Sequence, residues 1–484
     1  MMFDSLNPAT NQIVGTFAEC TPVDVDAAVA EAREAARWWG EIGFKERRNR
    51  LLAWRSVLLD RIEEFAGLVC EEVGKPVEDA TLEIGLAVAH IDWAAKNAAK
   101  VLRRRQVSPG VLLGNHGASV RYLPYGVVGV IGPWNYPVFT PIGAIAYALA
   151  AGNAVVFKPS EFSPAVGTWL AEAFSEVVGD QHVLQVITGA GATGAALAAS
   201  DVDKIAFTGS SATGRKILAA CAARLTPAIL ECGGKDVAIV DADADLELAA
   251  QSIVWAGCSN AGQTCIGTER VYVHQDVYRQ LLNRVVSIAE GLRPGGDASA
   301  SYGPMTLASQ SDVVRRHIST ALTDGARAVL GGVESVREPY VHPVVLTDVP
   351  ETSDAMREET FGPVLIVNSV ASMQDAIARA NGSPYGLGAA VFSGTNGEQI
   401  AGQLRTGMVA VNSVIAFAGI PALPFGGVGE SGFGRVHGAD GLREFARSQA
   451  VAKLRVRIPI VVTSFERTPS AVRLFVDILR RLRG

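Results

Sequence analysis

Residues 122–157, YLPYGVVGVIGPWNYPVFTPIGAIAYALAAGNAVVF, carry no charge. So apolar a run invites comparison with a membrane span. It holds Pro124, Pro133, Pro137 and Pro141 together with Asn135 and Asn153. Four prolines would leave backbone groups unpaired in hydrocarbon, where each must be satisfied internally. The run therefore reads as buried core: a strand at 127–131, a turn carrying Asn135, an alanine-rich helix, and a second strand at 154–158. The same grammar recurs downstream. Short Val- and Ile-rich runs at 183–188, 204–208 and 237–240 are each followed by a turn and a helical pattern, which describes a parallel sheet covered by helices on both faces. Upstream, residues 23–72 show helical spacing behind Thr21-Pro22, an N-cap followed by a helix-initiating proline, with Trp38, Trp39 and Trp54 expected in the core. A further set of strands follows Cys265, near 270–273, 328–330, 340–346, 364–367, 389–392 and 409–412, and predicts a second α/β domain.

A chain of 484 residues is long enough for two to four domains, which excludes a peptide or a disulfide-stapled mini-protein. Its charge of −6 offers no global positive field for a phosphate backbone, so no nucleic-acid partner is expected. The opening MMFDSLNPAT has no basic leader followed by an apolar stretch, and the expected location is cytoplasmic. Six cysteines without a C-x-x-C and seven histidines without ligand spacing predict neither a metal site nor a disulfide framework. The last thirty residues differ from the rest. Seven arginines stand there against Glu466 and Asp477, a local +5 that leaves −11 for the remainder. Thr468-Pro469 predicts the cap of a final helix with Val472, Phe475, Val476, Leu479 and Leu482 on one side and Arg473, Arg480, Arg481 and Arg483 elsewhere. Two readings stand for it: a helix docked on the body or on a partner subunit, or a peripheral contact with a membrane or acidic partner.

Several segments carry chemistry. Gly189-Ala-Gly191-Ala-Thr-Gly194 has dinucleotide-binding spacing, but Asp201 and Asp203 come too early for the acidic residue that should follow. A second glycine turn, from Phe207 through Gly209 and Ser210 to Gly214, also joins a strand to a helix and suits a diphosphate. Either turn also suits tight strand-to-helix packing. Cys265, in Ala261-Gly-Gln-Thr-Cys265-Ile-Gly, reads as a small buried hydrophobe or as a nucleophile. Glu231, in Leu230-Glu231-Cys232-Gly233-Gly234-Lys235, reads as a general base or as a salt-bridge partner of Lys235.

Seven motifs in order give the chain a resemblance to the NAD(P)-dependent aldehyde dehydrogenase superfamily over about nine-tenths of its length. They are Gly132-Pro-Trp-Asn135-Tyr-Pro, Lys158-Pro-Ser-Glu161, Phe207-Thr-Gly-Ser210, Leu230-Glu231-Cys-Gly-Gly-Lys235, Gly262-Gln-Thr-Cys265, Glu358-Glu359-Thr-Phe361-Gly-Pro363 and Pro424-Phe-Gly-Gly427. The resemblance implies an α/β fold with a doubly wound, Rossmann-like NAD-binding domain (1–106 and 124–232), an α/β catalytic domain (233–430), a small oligomerisation element (107–123 and 431–457) and a basic tail (458–484). In that element a hairpin near 107–123 pairs with residues near 450–456, and a homodimer or homotetramer is expected.

The resemblance also implies roles. Cys265 as thiolate attacks an aldehyde, and Asn135 with the Cys265 backbone N–H holds the oxyanion. Hydride leaves for the nicotinamide, and Glu231 activates water to hydrolyse the thioester. Cofactor contacts fall to Trp134, Lys158, Glu161, Gly209, Ser210, Gly214, Glu359 and Phe361, and the Gly189 motif becomes a loop-to-helix joint. Glu161 would repel a ribose 2′-phosphate, so NAD is expected over NADP. Two features depart from the family pattern: Cys232 beside Glu231, and the tail beyond about Arg455. The rivals are a CoA-acylating enzyme, which generally lacks the base, and a catalytically silent structural homologue. Tyr136, Phe139, Thr140, Gly143, Thr264, Ile266 and Phe425 correspond to the aldehyde tunnel. That set has no cation, so an apolar or aromatic aldehyde is the expected substrate.

Overall fold

The helical pattern near the start resolves into four consecutive helices, Pro22–Glu41, Gly43–Asp60, Ile62–Val73 and Val77–Val101, in a computed structural model that describes residues 1–297, 299–457 and 464–481. The first opens on a capping box: the Thr21 hydroxyl accepts from the Asp24 N–H while the Asp24 carboxylate accepts from the Thr21 N–H. Trp39 and Trp54 are fully buried and meet Phe174 edge-on, with ring centroids 5.9 and 5.2 Å away, whereas Trp38 is half-buried.

The uncharged stretch is core. Val127–Ile131 and Ala154–Lys158 are buried at every residue and pair in parallel, and the helix between them, Phe139–Ala151, is buried at every residue from Pro141 onward. Among the described residues no helix is long and apolar enough to cross a membrane. The two strands lie within a six-stranded sheet in the order Gly432–Phe433, Ala228–Cys232, Lys204–Gly209, Val127–Ile131, Ala154–Lys158 and Leu184–Val186. All its pairings are parallel except the first. The second sheet has seven strands, centred on Arg270–His274 and Val237–Val240, and is parallel except where Arg327–Leu330 meets Val344–Thr347. Each sheet has its own apolar core. The arrangement is the doubly wound α/β fold expected, in which ligands gather at the carboxyl ends of parallel strands.

A third, three-stranded sheet joins Arg105–Val107, His116–Pro124 and Ala446–Leu454. The long pair runs in unbroken antiparallel register, from Ala446 opposite Pro124 to Leu454 opposite His116.

Two segments differ from the sequence reading. The single strand expected at 340–346 is two: Tyr340–Val341 forms a hairpin with Val336–Arg337, and Val344–Thr347 enters the large sheet. Pro343 lies between them and has no N–H to give to a ladder. Gly432–Phe433, assigned by sequence to the oligomerisation element, forms the edge of the six-stranded sheet instead, with Gly432 opposite Glu231. In the tail, Pro469–Arg481 is helical and the Ala471 N–H donates to the Thr468 hydroxyl at 3.3 Å, the cap expected there. Leu482 and Arg483 lie outside the described residues.

Candidate active site

Cys265 follows a turn that few sequences could make. Asn260, Ala261 and Gly262 all have positive φ, at 51°, 56° and 72°. A Cβ on Gly262 would lie 2.2 Å from the carbonyl carbon of Gly362, so only glycine lets the turn press against that backbone. The buried Gln263 side chain locks the turn: its Nε2 donates to the carbonyls of Asn260 (3.0 Å) and Pro304 (3.3 Å), and its Oε1 accepts from the Thr306 N–H at 2.9 Å. The Asn135 amide reaches across from the end of the six-stranded sheet and donates to the Gln263 carbonyl at 2.9 Å. An amide nitrogen carries two hydrogens, so one remains for a ligand.

The Asn135 segment is held in turn by a pair that the sequence reading missed. Lys75 and Glu83 are both buried and form an ion pair. The Lys75 ammonium also donates to the Asn135 carbonyl at 2.9 Å and lies 4.0 Å from the Tyr136 ring centroid. Glu83 accepts the N–H groups of Val138 (2.8 Å) and Phe139 (3.0 Å). The only sequence signal was a Lys and a Glu eight residues apart, both destined for an apolar interior.

Glu231 stands near the carboxyl end of Ala228–Cys232, buried, with its Oε1 unpartnered. Burial pushes its carboxyl up to about 8, against the opposing effects of Arg435 and the Thr208 hydroxyl. Lys235 is no partner of Glu231. Its ammonium pairs with Glu269 and donates to the Thr360 hydroxyl at 3.0 Å, while Glu269 accepts the N–H groups of Thr360 and Phe361. This second buried pair, also missed from sequence, fixes the loop that carries Glu359 and Phe361.

Glu231 and Cys265 line one cavity of about 580 Å³. Burial and the neighbouring carboxylates Glu359, Glu231 and Asp236 push the Cys265 thiol far above its ordinary range, opposed by the Ile266 N–H. Cys232 lines the same cavity, its thiol pushed up to about 11 by burial, and its sulfur would lie 3.0 Å from a Cβ on Gly214.

On the sheet side, Ser210 caps the helix Ser211–Arg224 by accepting from the Thr213 N–H at 3.2 Å, which leaves first-turn amides open to an anion. The buried Lys158 ammonium pairs with Glu161 at 3.2 Å. Glu359 accepts from the Gly234 N–H at 2.9 Å, and burial pushes its carboxyl up to about 8. A Cβ on Gly233 would lie 2.1 Å from the Glu359 carboxylate, so a larger residue there would displace Glu359 from this position. Phe361 has φ 51° and meets Trp134 edge to face, with centroids 5.6 Å apart. Open amides, a Lys–Glu pair and an aromatic pair fit a dinucleotide. The Gly189 turn is occupied differently: the Thr193 hydroxyl donates to the Cys20 carbonyl at 2.8 Å, and a Cβ on Gly189 would lie 2.1 Å from that hydroxyl.

Of the seven tunnel positions expected, Tyr136, Phe139, Thr140, Thr264, Ile266 and Phe425 line the cavity. Gly143 lies behind the wall, where a Cβ would be 2.5 Å from His437 Nε2. The sequence reading missed His437, an inner wall residue kept neutral by burial and by neighbouring His90, and Leu82, Leu86 and Trp255, exposed lining residues. It also missed a cation. Lys75 lines the cavity, but its charge is committed to Glu83, and among the described residues no other Lys or Arg does so. No cluster of His, Cys, Asp or Glu among the described residues is arranged to hold a metal ion.

Residues 1–451 match the sequence model of the aldehyde dehydrogenase family. The chain is 36% identical to a 4,4'-diapolycopene aldehyde oxidase from Methylomonas sp., over 94% of this chain and 86% of that protein. It is likewise 36% identical to a putative succinate-semialdehyde dehydrogenase [NADP(+)] from Mycobacterium ulcerans, over 92% of this chain and 88% of that one. Among solved structures, an NAD-dependent aldehyde dehydrogenase from Sinorhizobium meliloti superposes with a TM-score of 0.91 at 33% identity, covering 96% of this chain and 93% of that one.

Proposed function

The chain belongs to the aldehyde dehydrogenase family, and we propose that it oxidises an apolar or aromatic aldehyde to the carboxylic acid with NAD. The observation that carries this reading is the shared cavity. It holds a thiol, an unpartnered carboxyl and an apolar wall whose single lysine is already neutralised. A substrate bearing its own carboxylate would need a free cation there, because a buried unpaired charge is costly.

In this reading the Cys265 thiol first gives its proton to water, which leaves Glu231 unprotonated for the later hydrolysis. The sulfur attacks the aldehyde carbon, forming a C–S bond and an oxyanion that takes up the second Asn135 N–H and the Cys265 backbone N–H. The dinucleotide, when bound, supplies the hydride acceptor. Loss of hydride leaves a thioester on Cys265. Glu231 then takes a proton from water, the water oxygen attacks the acyl carbon, the C–S bond breaks and the acid departs.

Ser210, Gly209 and Gly214 would hold the diphosphate at the helix start, Lys158 and Glu161 the adenine-side ribose, Glu359 the nicotinamide ribose, and Trp134 and Phe361 the nearby rings. Glu161 supports NAD over NADP by charge, although the succinate-semialdehyde dehydrogenase relatives are named for NADP(+). The Arg105–Val107 edge of the three-stranded sheet is exposed along its length, which supports a homodimer or homotetramer built on that sheet. The test is an aldehyde panel with both cofactors. Hexanal and benzaldehyde should show higher kcat/KM than succinic semialdehyde, and the reverse order would overturn the substrate assignment.

A further inference from the structure

The helix Pro469–Arg481 has no buried residue and lies beyond residue 451, where the family match ends. At about 3.6 residues per turn its side chains divide into two sectors. Leu474, Phe475, Ile478, Leu479, Val472 and Val476 span roughly 200° of the helix circumference. The remaining sector is ordered by charge. Arg473 and Arg480 border the apolar arc beside Val476, Arg481 borders it beside Leu474, and the one carboxylate, Asp477, stands midway between those borders.

A helix packed on protein needs an apolar stripe of about 100° and buries it. Here the arc is about twice as wide: Val472, Leu474, Val476 and Leu479 are exposed, Phe475 and Ile478 are only half-buried, and Phe465 just upstream is fully exposed. Cations on both borders, with the carboxylate farthest from the apolar arc, suit a helix lying in the plane of a bilayer. Arginine stems run along the apolar boundary while the guanidinium groups reach phosphate level. Thirteen residues are also marginal as an isolated helix, so a partner surface would supply the missing stability. The charge division points the same way. The rest of the chain, at −11, is repelled by an anionic surface, so attraction rests on the +5 segment.

We propose that Pro469–Arg481 docks this protein on anionic phospholipid bilayers, apolar arc inward and arginines among the headgroups. The proposal does not depend on which aldehyde the enzyme oxidises. It is tested by sedimenting the full-length protein with vesicles of phosphatidylcholine alone or mixed with phosphatidylglycerol, alongside a chain ending at Arg457, Phe475→Glu/Leu479→Glu, and Arg473→Gln/Arg480→Gln/Arg481→Gln. The wild type should pellet with the phosphatidylglycerol vesicles. Its partitioning should fall at least ~10-fold on phosphatidylcholine alone, in high salt and in every variant, while thermal melting stays unchanged. Equal pelleting of the chain ending at Arg457, or no pelleting of the wild type on either vesicle, would overturn the proposal. So would a smaller assembly for Phe475→Glu/Leu479→Glu in light scattering, which would make the helix a contact between subunits.

Discussion

The ammonium of Lys75 donates to the backbone carbonyl of Asn135 at 2.9 Å, sixty residues away in sequence, while its ion-pair partner Glu83 accepts the N–H groups of Val138 and Phe139. The segment that carries Asn135 and Tyr136 is thus pinned at both ends by one buried pair. Lys75→Met should lower kcat by roughly 10- to 100-fold with little change in KM, since the loss is of alignment rather than of substrate contact. It also strands the Glu83 carboxylate, at a cost of about 3–5 kcal/mol. Adding Glu83→Gln should recover much of the stability in urea denaturation but not kcat. Full recovery of kcat would reduce the pair to a structural role.

Asn135→Ala removes the proposed side-chain donor to the oxyanion and its bond to the Gln263 carbonyl. Steady-state kinetics should show kcat reduced by about 10²–10³-fold, the scale of losing one preorganised donor, with KM close to the wild type. A change confined to KM would place Asn135 in binding rather than in charge stabilisation.

Stability should fall as pH rises. Burial pushes the carboxyls of Glu72, Glu231 and Glu359 up to about 7, 8 and 8. The folded protein therefore keeps protons that the unfolded chain gives up in the ordinary carboxylate range. The stabilising contribution of these groups is complete below that range and lost as pH climbs through 7 to 8. Thermal melting of the cofactor-free protein should show Tm declining across that window, with a shallower decline in Glu231→Gln and in Glu359→Gln. A rising Tm would contradict these shifts.

Glu161→Gln should narrow the preference for NAD. The side chain is partly exposed and already paired with Lys158, so its charge is worth at most about 1 kcal/mol, or roughly fivefold in the ratio of kcat/KM for the two cofactors. An unchanged ratio would remove Glu161 from cofactor discrimination.

Much of the fold was legible because its information is local. The uncharged run at 122–157 contains two wholly buried strands and the helix between them, and short apolar strands followed by helices announce a parallel sheet. Cys265, Glu231 and Asn135 stood out for the same reason: each sits in a short glycine- or proline-rich motif. The residues that sequence missed act across long separations. Lys75, between two helices, and Glu83, on the second of them, reach Asn135 and Phe139, Glu269 just before the strand Arg270–His274 meets Lys235 and Thr360, and His437 enters the cavity wall from far down the chain. Nothing in their local patterns distinguishes them from surface charges or packing residues. The strand break at Pro343 was visible in principle, but the edge strand Gly432–Phe433 is too short and glycine-rich to carry a periodic signal.

In the proposed cycle Cys265 forms the acyl intermediate and Glu231 releases it. Stopped-flow NADH fluorescence of Glu231→Gln with a good aldehyde substrate separates the two roles. The variant should give a rapid burst approaching one NADH per Cys265, followed by a steady rate lower than wild type by about 10²-fold or more. A steady rate equal to the wild type would contradict it.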